Sequence, residues 1–314
     1  MIDFLRANMN LVIAIGGVFL LLIIATVSCA ILKKRKPEND YNELGLRIRT
    51  WWIIVVIFAV SLLSCIEMFL VFMVFASFLA MKEYFSLIPT RRVDRRVLLW
   101  AYLAIPIQYW WIYDDWFGMF IIFVPVYMFL LIGLRLVLVG QTEGFLRSAG
   151  TIHWGLMMTV FSLSHIACLY LIPLDEGTGI SWKTLVFYLM FLTQINDVAQ
   201  YVWGKSFGKF KVIPHISPNK TVAGLVGGVV STIILAVVLG PFFTPLNFCQ
   251  SMFAGLIIGL GGFFGDITIS ALKRDLKIKD SGSFLPGHGG ILDRLDSLTF
   301  TAPLFLHFLR YIYT

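Results

Sequence analysis

Apolar stretches long enough to cross a lipid bilayer recur along almost all of the 314 residues of this chain. The hydrocarbon core of a bilayer is about 30 Å thick, and a helix needs about 20 apolar residues to cross it. The chain is 59% hydrophobic and only 14% charged, whereas a soluble domain has about 25% charged residues. The sequence therefore predicts an all-α integral membrane protein.

The hydropathy pattern predicts a polytopic bundle of about ten transmembrane helices. The run 51–81 would be about 46 Å long as one helix, at 1.5 Å per residue. The basic loops on both sides of it belong in the cytoplasm by the positive-inside rule, so we expect a helical hairpin that turns near Ser64 to Glu67. The predicted spans are 10–32, 51–65, 66–87, 98–112, 116–139, 151–173, 182–203, 222–245, 249–272 and 298–314.

The same charge rule orients the whole chain. Ten spans place both termini on the non-cytoplasmic side and the polar loops 204–220 and 273–297 in the cytoplasm. We expect residues 1–180 to form a membrane scaffold and residues 181–314 to form a catalytic membrane unit. Because short cytoplasmic loops account for most of the net charge of +7, no nucleic-acid partner is expected.

Small residues and cysteines in the spans carry weaker information. The pairs Gly224/Gly228, Gly255/Gly259 and Gly261/Gly265 allow helix backbones to approach closely. They permit a homodimer and fit packing within one chain equally well. The four cysteines have no paired spacing, and we interpret them as small buried hydrophobic residues.

A charged cluster begins at Asp266, near the cytoplasmic end of an apolar span. A charge in the centre of a span costs about 2.5–3.5 kcal/mol, so a carboxylate there suggests a functional site. Helical spacing places Ser270, Lys273 and Lys277 on the same stripe as Asp266. Arg274 adds a further cation at this helix end.

The cytoplasmic stretch that follows adds acids and a glycine-rich turn. Asp293 and Asp296 are three residues apart and share a helix face. Carboxylates of this kind hold Mg²⁺ together with phosphate oxygens, and Arg294 would help to neutralise a triphosphate. The glycines around His288, Gly289 and Gly290 allow backbone N–H groups to cradle an anion.

A second polar cluster lies on the seventh span and in the loop after it. Asp197 lies in the cytoplasmic half of that span. Ser217, Lys220 and Thr221 place two hydroxyls and an amine beside a helix N-terminus, which favours an anion site. The stretch from Gly204 to Lys209 lacks the residue order of a P-loop, so we reject that interpretation.

Together these residues resemble the signature of the phosphatidate cytidylyltransferase (CDP-diacylglycerol synthase) family, over about residues 190–310. The chain departs from the family pattern at Asn196 and Asp197 and at Ala223, where the family usually has Glu. The matching stretches are Gly265-Asp266, Ser217-Pro218-x-Lys220-Thr221, Ser270-x-x-Lys273-Arg274-x-x-x-x-Lys279-Asp280 and Pro286-Gly287-His288-Gly289-Gly290-x-x-Asp293-Arg294-x-Asp296.

The resemblance implies that CTP and phosphatidate react to give CDP-diacylglycerol and pyrophosphate. It implies Mg²⁺ held by Asp266 and Asp293, with Asp296 close by and a monovalent cation such as K⁺ beside the site. It also implies that Ser270, Lys273 and Arg274 contact substrate phosphates.

The site would then face the cytoplasm from a membrane such as the bacterial inner membrane, because CTP is soluble and the acyl chains are not. Four alternatives stay open. They are a cytidylyltransferase for another lipid phosphate such as an isoprenoid ether lipid, a CTP-dependent polyprenol kinase, a cation-coupled transporter with these acids along its path, and a noncatalytic assembly protein.

Overall fold

The computed structural model describes residues 9–35, 38, 40–89, 91, 94–174, 179–282 and 289–314. In these ranges the chain forms helices, joined by turns and one isolated bridge between Lys211 and Thr221. The prediction of an all-α membrane protein is confirmed. The helices are α1 (Met9–Arg35), α2 (Asn42–Leu63), α3 (Ile66–Leu87), α4 (Arg95–Tyr113), α5 (Phe117–Leu138), α6 (Phe145–Leu171), α7 (Trp182–Phe207), α8 (Val222–Phe243), α9 (Phe248–Asp275), α10 (Leu292–Leu295) and α11 (Leu298–Tyr313).

Within the described ranges, seven helices are long and apolar enough to cross a membrane. They are α1, α2, α3, α5, α6, α8 and α9. The other long helices, α4, α7 and α11, coincide closely with the remaining predicted spans. The number of crossings and the side on which the termini lie stay predictions.

The expected break of this run into two helices near Ser64 is confirmed, while their crossing of the membrane as a hairpin stays a prediction. Helices α2 and α3 contact each other and are separated only by Ser64 and Cys65. The start of α2 was predicted wrongly, because it begins at Asn42 rather than at residue 51. An ion pair between Glu43 and Arg47, four residues apart, stabilises this charged first part of the helix.

Local sequence explains where α5 changes and where α8 begins. Pro125 has no N–H to donate, and α5 widens into a π-helical turn over Phe123–Met128. Thr221 is the N-cap of α8, where its hydroxyl accepts a hydrogen bond from the Gly224 N–H at 3.1 Å. This cap fixes the first turn of α8 beside the end of α7.

Helices α7, α8, α9 and α11 pack against one another in the C-terminal part of the chain. The small-residue stripes serve this packing, since a Cβ on Gly255 would overlap the α8 backbone at Ile233. A Cβ on Gly265 would likewise overlap the carbonyl oxygen of Asp296. The glycines thus have a role within one chain, and a homodimer stays a prediction.

The two predicted parts of the chain are in contact. Helix α11 packs against Ser162–Cys168 of α6, and α3 contacts α10. The division at residue 180 therefore stays a prediction, while the hydrophobic core continues across it. All four cysteines are free; Cys29 and Cys168 are buried as expected, but Cys65 and Cys249 are exposed.

Candidate active site

Asp266 lies at the centre of the first group of site residues. Its Oδ2 atom is 2.5 Å from Lys220 Nζ, and its Oδ1 accepts a hydrogen bond from Ser270 at 3.2 Å. Lys220 also donates to Gln200 Oε1 of α7 at 3.0 Å. The structure thus joins the two polar clusters of the sequence at a single point.

The predicted helical stripe holds as far as Lys273 and then ends. Helix α9 stops at Asp275, and Lys277 has a left-handed backbone with φ +57°. Lys277 therefore does not continue the stripe, which corrects the expectation for that residue. Lys273 is on the stripe, but its amine reaches Asp293 rather than Asp266.

Asp197 and Asp296 are two further acidic residues near Asp266. The Ser297 hydroxyl lies 3.1 and 3.2 Å from the two carboxylate oxygens of Asp197. Burial raises the pKa of Asp296 well above its usual value, and the negative charges of Asp266 and Asp197 raise it further. Three carboxylates therefore share one region of the site and repel one another.

Asp293 forms a second group, which is better neutralised. Its Oδ1 accepts a hydrogen bond from Lys273 Nζ at 2.6 Å, and its Oδ2 accepts from the Ser281 N–H at 2.9 Å. Burial alone would raise the pKa of Asp293, but the hydrogen bonds from Lys273 and Ser281 and the Lys273 charge lower it. Asp293 is thus held as a carboxylate beside a lysine.

Gly289 and Gly290 shape the backbone next to Asp293. Gly289 has φ +85°, which a residue with a side chain rarely adopts. The Gly290 N–H donates to Asp293 Oδ2 at 3.3 Å. The prediction that these glycines let the backbone approach an anion fits this contact, although the anion here is the Asp293 carboxylate. His288 lies outside the described residues.

Several predicted substrate contacts have structural partners in this arrangement. The Thr221 hydroxyl caps α8, and Arg274 donates to the carbonyl oxygens of Ile216 and Ile278 at 3.1 and 3.3 Å. Ser217 lies in the turn that Arg274 contacts, and its N–H donates to Ile213. Substrate binding by these three residues stays a prediction.

The loop that carries Lys220 is closed at its base. Besides the bridge of Lys211 to Thr221, the Val212 N–H donates to Lys220 O at 3.1 Å, and the Val222 N–H donates to Phe210 O at 2.9 Å. We name residues 210–222 the Lys220 loop. Its closed base fixes the backbone from which the Lys220 side chain reaches Asp266.

The side chains of the site fit a divalent cation whose coordination shell is completed by oxygen atoms of the substrate. Among the residues that the structure describes, no set of three His, Cys, Asp or Glu side chains is arranged to hold a metal by itself. Mg²⁺ usually takes one or two carboxylates together with phosphate oxygens. The mutual repulsion of Asp197, Asp266 and Asp296 is the electrostatic condition that a bound cation would relieve.

Sequence reasoning missed four side chains that complete the site. Gln200, Ser281 and Ser297 contact Lys220, Asp293 and Asp197, respectively. The fourth is Glu83 of α3, whose carboxylate accepts hydrogen bonds from the Ile291 and Leu292 N–H groups at 2.8 and 3.0 Å. An acid within a predicted span was the available signal for Glu83.

Known proteins resemble this chain over most of its length. The sequence profile of the cytidylyltransferase family matches residues 45–312. A protein of Escherichia coli strain K12, described as uncharacterized protein YnbB, is 47% identical over 298 residues, which are 95% of this chain and 98% of that protein.

Two curated relatives carry the name phosphatidate cytidylyltransferase. The one from Bacillus subtilis strain 168 is 43% identical over 132 residues, which are 42% of this chain and 49% of that protein. The one from Staphylococcus haemolyticus is 40% identical over 121 residues, which are 38% of this chain and 46% of that protein. The chain thus matches about half the length of each of these relatives.

Proposed function

We propose a specific reaction for this chain, which belongs to the cytidylyltransferase family and is therefore a nucleotidyltransferase. The reaction is the transfer of the cytidylyl group of CTP to the phosphate of phosphatidate, which forms CDP-diacylglycerol and pyrophosphate. The names of the Bacillus and Staphylococcus relatives support this choice of acceptor.

One observation carries the proposal. Lys220 Nζ lies 2.5 Å from Asp266, and Lys273 Nζ lies 2.6 Å from Asp293, so two lysine–carboxylate pairs are formed by α9, the Lys220 loop and α10. Together they supply cations for phosphate groups and carboxylates for a metal. These are the two kinds of group that a reaction between a triphosphate and a lipid phosphate requires.

In this reaction the protein mainly positions the two substrates and neutralises their phosphate charges. A phosphate monoester has its second pKa near 6, so the phosphatidate phosphate is already an anion at neutral pH and needs no general base. One phosphatidate oxygen forms a bond to the α-phosphorus of CTP while the bond from that phosphorus to the pyrophosphate oxygen breaks. In-line alignment of these groups is the main catalytic contribution.

We assign the residues as follows. Asp266 and Asp293 hold Mg²⁺, which supplies charge neutralisation at the nucleotide phosphates when it is bound. Lys220 and Lys273 neutralise phosphate oxygens, and Asp296 lies close to the metal. A monovalent cation such as K⁺ beside the magnesium site belongs to the same proposal, as do substrate contacts by Ser270, Arg274 and Arg294.

We also propose the location of the site. Ten crossings, with both termini on the non-cytoplasmic side of a bacterial inner membrane, place the Lys220 loop and Asp293 in the cytoplasm. The positive-inside rule supports this orientation, because the basic loops of the chain then lie on one side. CTP reaches the site from the cytoplasm and phosphatidate from the bilayer.

The test uses purified protein in detergent micelles that contain phosphatidate. CTP labelled at the α-phosphorus is added with and without Mg²⁺, and the label in the lipid fraction is measured. We expect label in lipid, with equimolar pyrophosphate, only when phosphatidate and Mg²⁺ are both present.

Parallel reactions separate the alternatives. CTP labelled at the γ-phosphorus would label the lipid if the protein were a polyprenol kinase, and a polyprenol acceptor is included for that purpose. An isoprenoid ether lipid phosphate that is used much faster than phosphatidate would replace the proposed acceptor while keeping the reaction class. No label transfer to any lipid would refute cytidylyl transfer.

A further inference from the structure

Glu83 connects the N-terminal part of the chain to the catalytic segment. Glu83 is half-buried near the end of α3, and its hydrogen-bond partners lie about 200 residues later in the sequence. Its two oxygens accept hydrogen bonds from the N–H groups of Ile291 and Leu292 and from the Ser281 hydroxyl. We name residues 289–296 the Asp293 segment.

Ser281 extends this contact to the proposed metal ligand. Its side chain is almost fully buried, and its hydroxyl lies within hydrogen-bonding distance of both Glu83 and Asp293. The Ser281 N–H also donates to Asp293. A continuous set of hydrogen bonds therefore runs from α3 to the Asp293 carboxylate.

The position of Glu83 also explains a small residue in the family signature. A Cβ on Gly290 would overlap Glu83 Oε1 and the Ser281 hydroxyl. A Cβ on Gly282 would lie 3.0 Å from Glu83 Oε2, which is closer than ordinary contact. Gly290 thus leaves the space that the carboxylate of another helix occupies.

We propose that Glu83 is a positioning residue that sets the orientation of Asp293 for metal and nucleotide binding. This rests on the proposed function, in which Asp293 holds Mg²⁺. Both Glu83 oxygens accept hydrogen bonds from N–H and O–H donors of the Asp293 segment and Ser281, so we assign to Glu83 the orientation of this segment. Residues that orient metal ligands typically contribute about 10–100-fold to metal affinity or activity.

The decisive variant is Glu83→Gln, which keeps the size of the side chain. Its amide retains one acceptor oxygen, and its NH₂ group would face the N–H of Ile291 or Leu292, so at least one hydrogen bond is lost. The control is Glu67→Gln, in the first turn of the same helix, where the carboxylate is exposed.

Two measurements are made on both variants and on the wild type. Hydrogen–deuterium exchange followed by mass spectrometry reports on the amides of the Asp293 segment, with Mg²⁺ titrated from none to saturation. Cytidylyl transfer is measured over the same Mg²⁺ range. For Glu83→Gln we expect faster exchange and a Mg²⁺ requirement raised about 10–100-fold in both measurements, and for Glu67→Gln no change.

Either of two results would overturn the proposal. Unchanged exchange in Glu83→Gln would mean that the hydrogen bonds do not hold the segment. Faster exchange with an unchanged Mg²⁺ requirement would make Glu83 a purely structural brace. A wild type that transfers no cytidylyl group would refute the proposed function, whereas the Mg²⁺ dependence of exchange would still decide the role of Glu83.

Discussion

Replacing Lys273 with Met should strengthen the binding of Mg²⁺ while it abolishes most activity. Lys273 Nζ lies 2.6 Å from Asp293 Oδ1, and the two side chains are only 14% and 8% exposed. The lysine is therefore a resident cation on the carboxylate to which we assign the metal. Methionine has a similar length and volume but no charge, so it removes the competitor without leaving a large cavity.

The size of the change in Mg²⁺ affinity follows from the hydrogen bond between Lys273 and Asp293, which Mg²⁺ must break in the wild type. A hydrogen bond to a charged group contributes about 1.5–3 kcal/mol. Because 1.4 kcal/mol corresponds to a factor of ten, removal of the competing amine should tighten Mg²⁺ binding by about 10–150-fold. Activity should fall, because no amine is then available for a phosphate oxygen.

The measurement is isothermal titration of Mg²⁺ into purified protein without nucleotide, for the wild type and Lys273→Met. Lys279→Met is the control, because Lys279 is an exposed lysine just beyond the same helix. Thermal unfolding in detergent checks that all three proteins are folded. Unchanged or weaker Mg²⁺ binding in folded Lys273→Met would refute the competition between the lysine and the metal.

Three further predictions concern the metal, the topology and the scaffold. Asp293→Asn should lower cytidylyl transfer about 100-fold or more at saturating Mg²⁺, because it removes a metal ligand; activity within a few-fold of the wild type would contradict the assignment. The proposed topology places the turns beside the exposed residues Cys65 and Cys249 on the non-cytoplasmic side, so a maleimide that cannot cross membranes should label both in intact cells. Labelling only after permeabilisation would mean that the orientation is reversed. Asp94 is 1% exposed and accepts hydrogen bonds from Arg91 and Ser148, so Asp94→Asn should lower the free energy of unfolding by about 1.5–3 kcal/mol at pH 7. Burial alone would raise the pKa of Asp94, but these hydrogen bonds lower it below the usual 3.8. The loss of unfolding free energy in Asp94→Asn should therefore be complete above about pH 4 and become smaller below it. A loss that does not change with pH would contradict this origin.

The sequence was sufficient for features that depend on local pattern. Runs of apolar residues placed most helices close to their observed bounds, because helix position in a membrane follows hydropathy. The spacing of Asp266, Ser270 and Lys273 on one stripe also followed from helical geometry. The charged start of α2 at Asn42–Arg49 was missed, since hydropathy cannot distinguish a polar helical extension from a loop.

Features that depend on tertiary contacts could not be predicted from local sequence patterns. The partner of Lys273 is Asp293, which lies beyond a loop, so helical spacing alone favoured Asp266. Glu83 and Ser281 are separated by about 200 residues, and no local pattern connects them. The sequence placed Thr221 correctly beside a helix N-terminus. That its hydroxyl caps this helix is visible only in the structure.

The closed base of the Lys220 loop has an evolutionary consequence. Because backbone hydrogen bonds join its two ends, insertions at residues 214 and 215, between the closed base and the Ser217-Pro218 turn, can change the length of the loop without displacing Lys220. Long loops cost little extra closure entropy once their ends are fixed. The loop can therefore diversify at residues 214 and 215 while Ser217, Pro218 and Lys220 stay constant, much as variable loops on a rigid framework acquire new specificities.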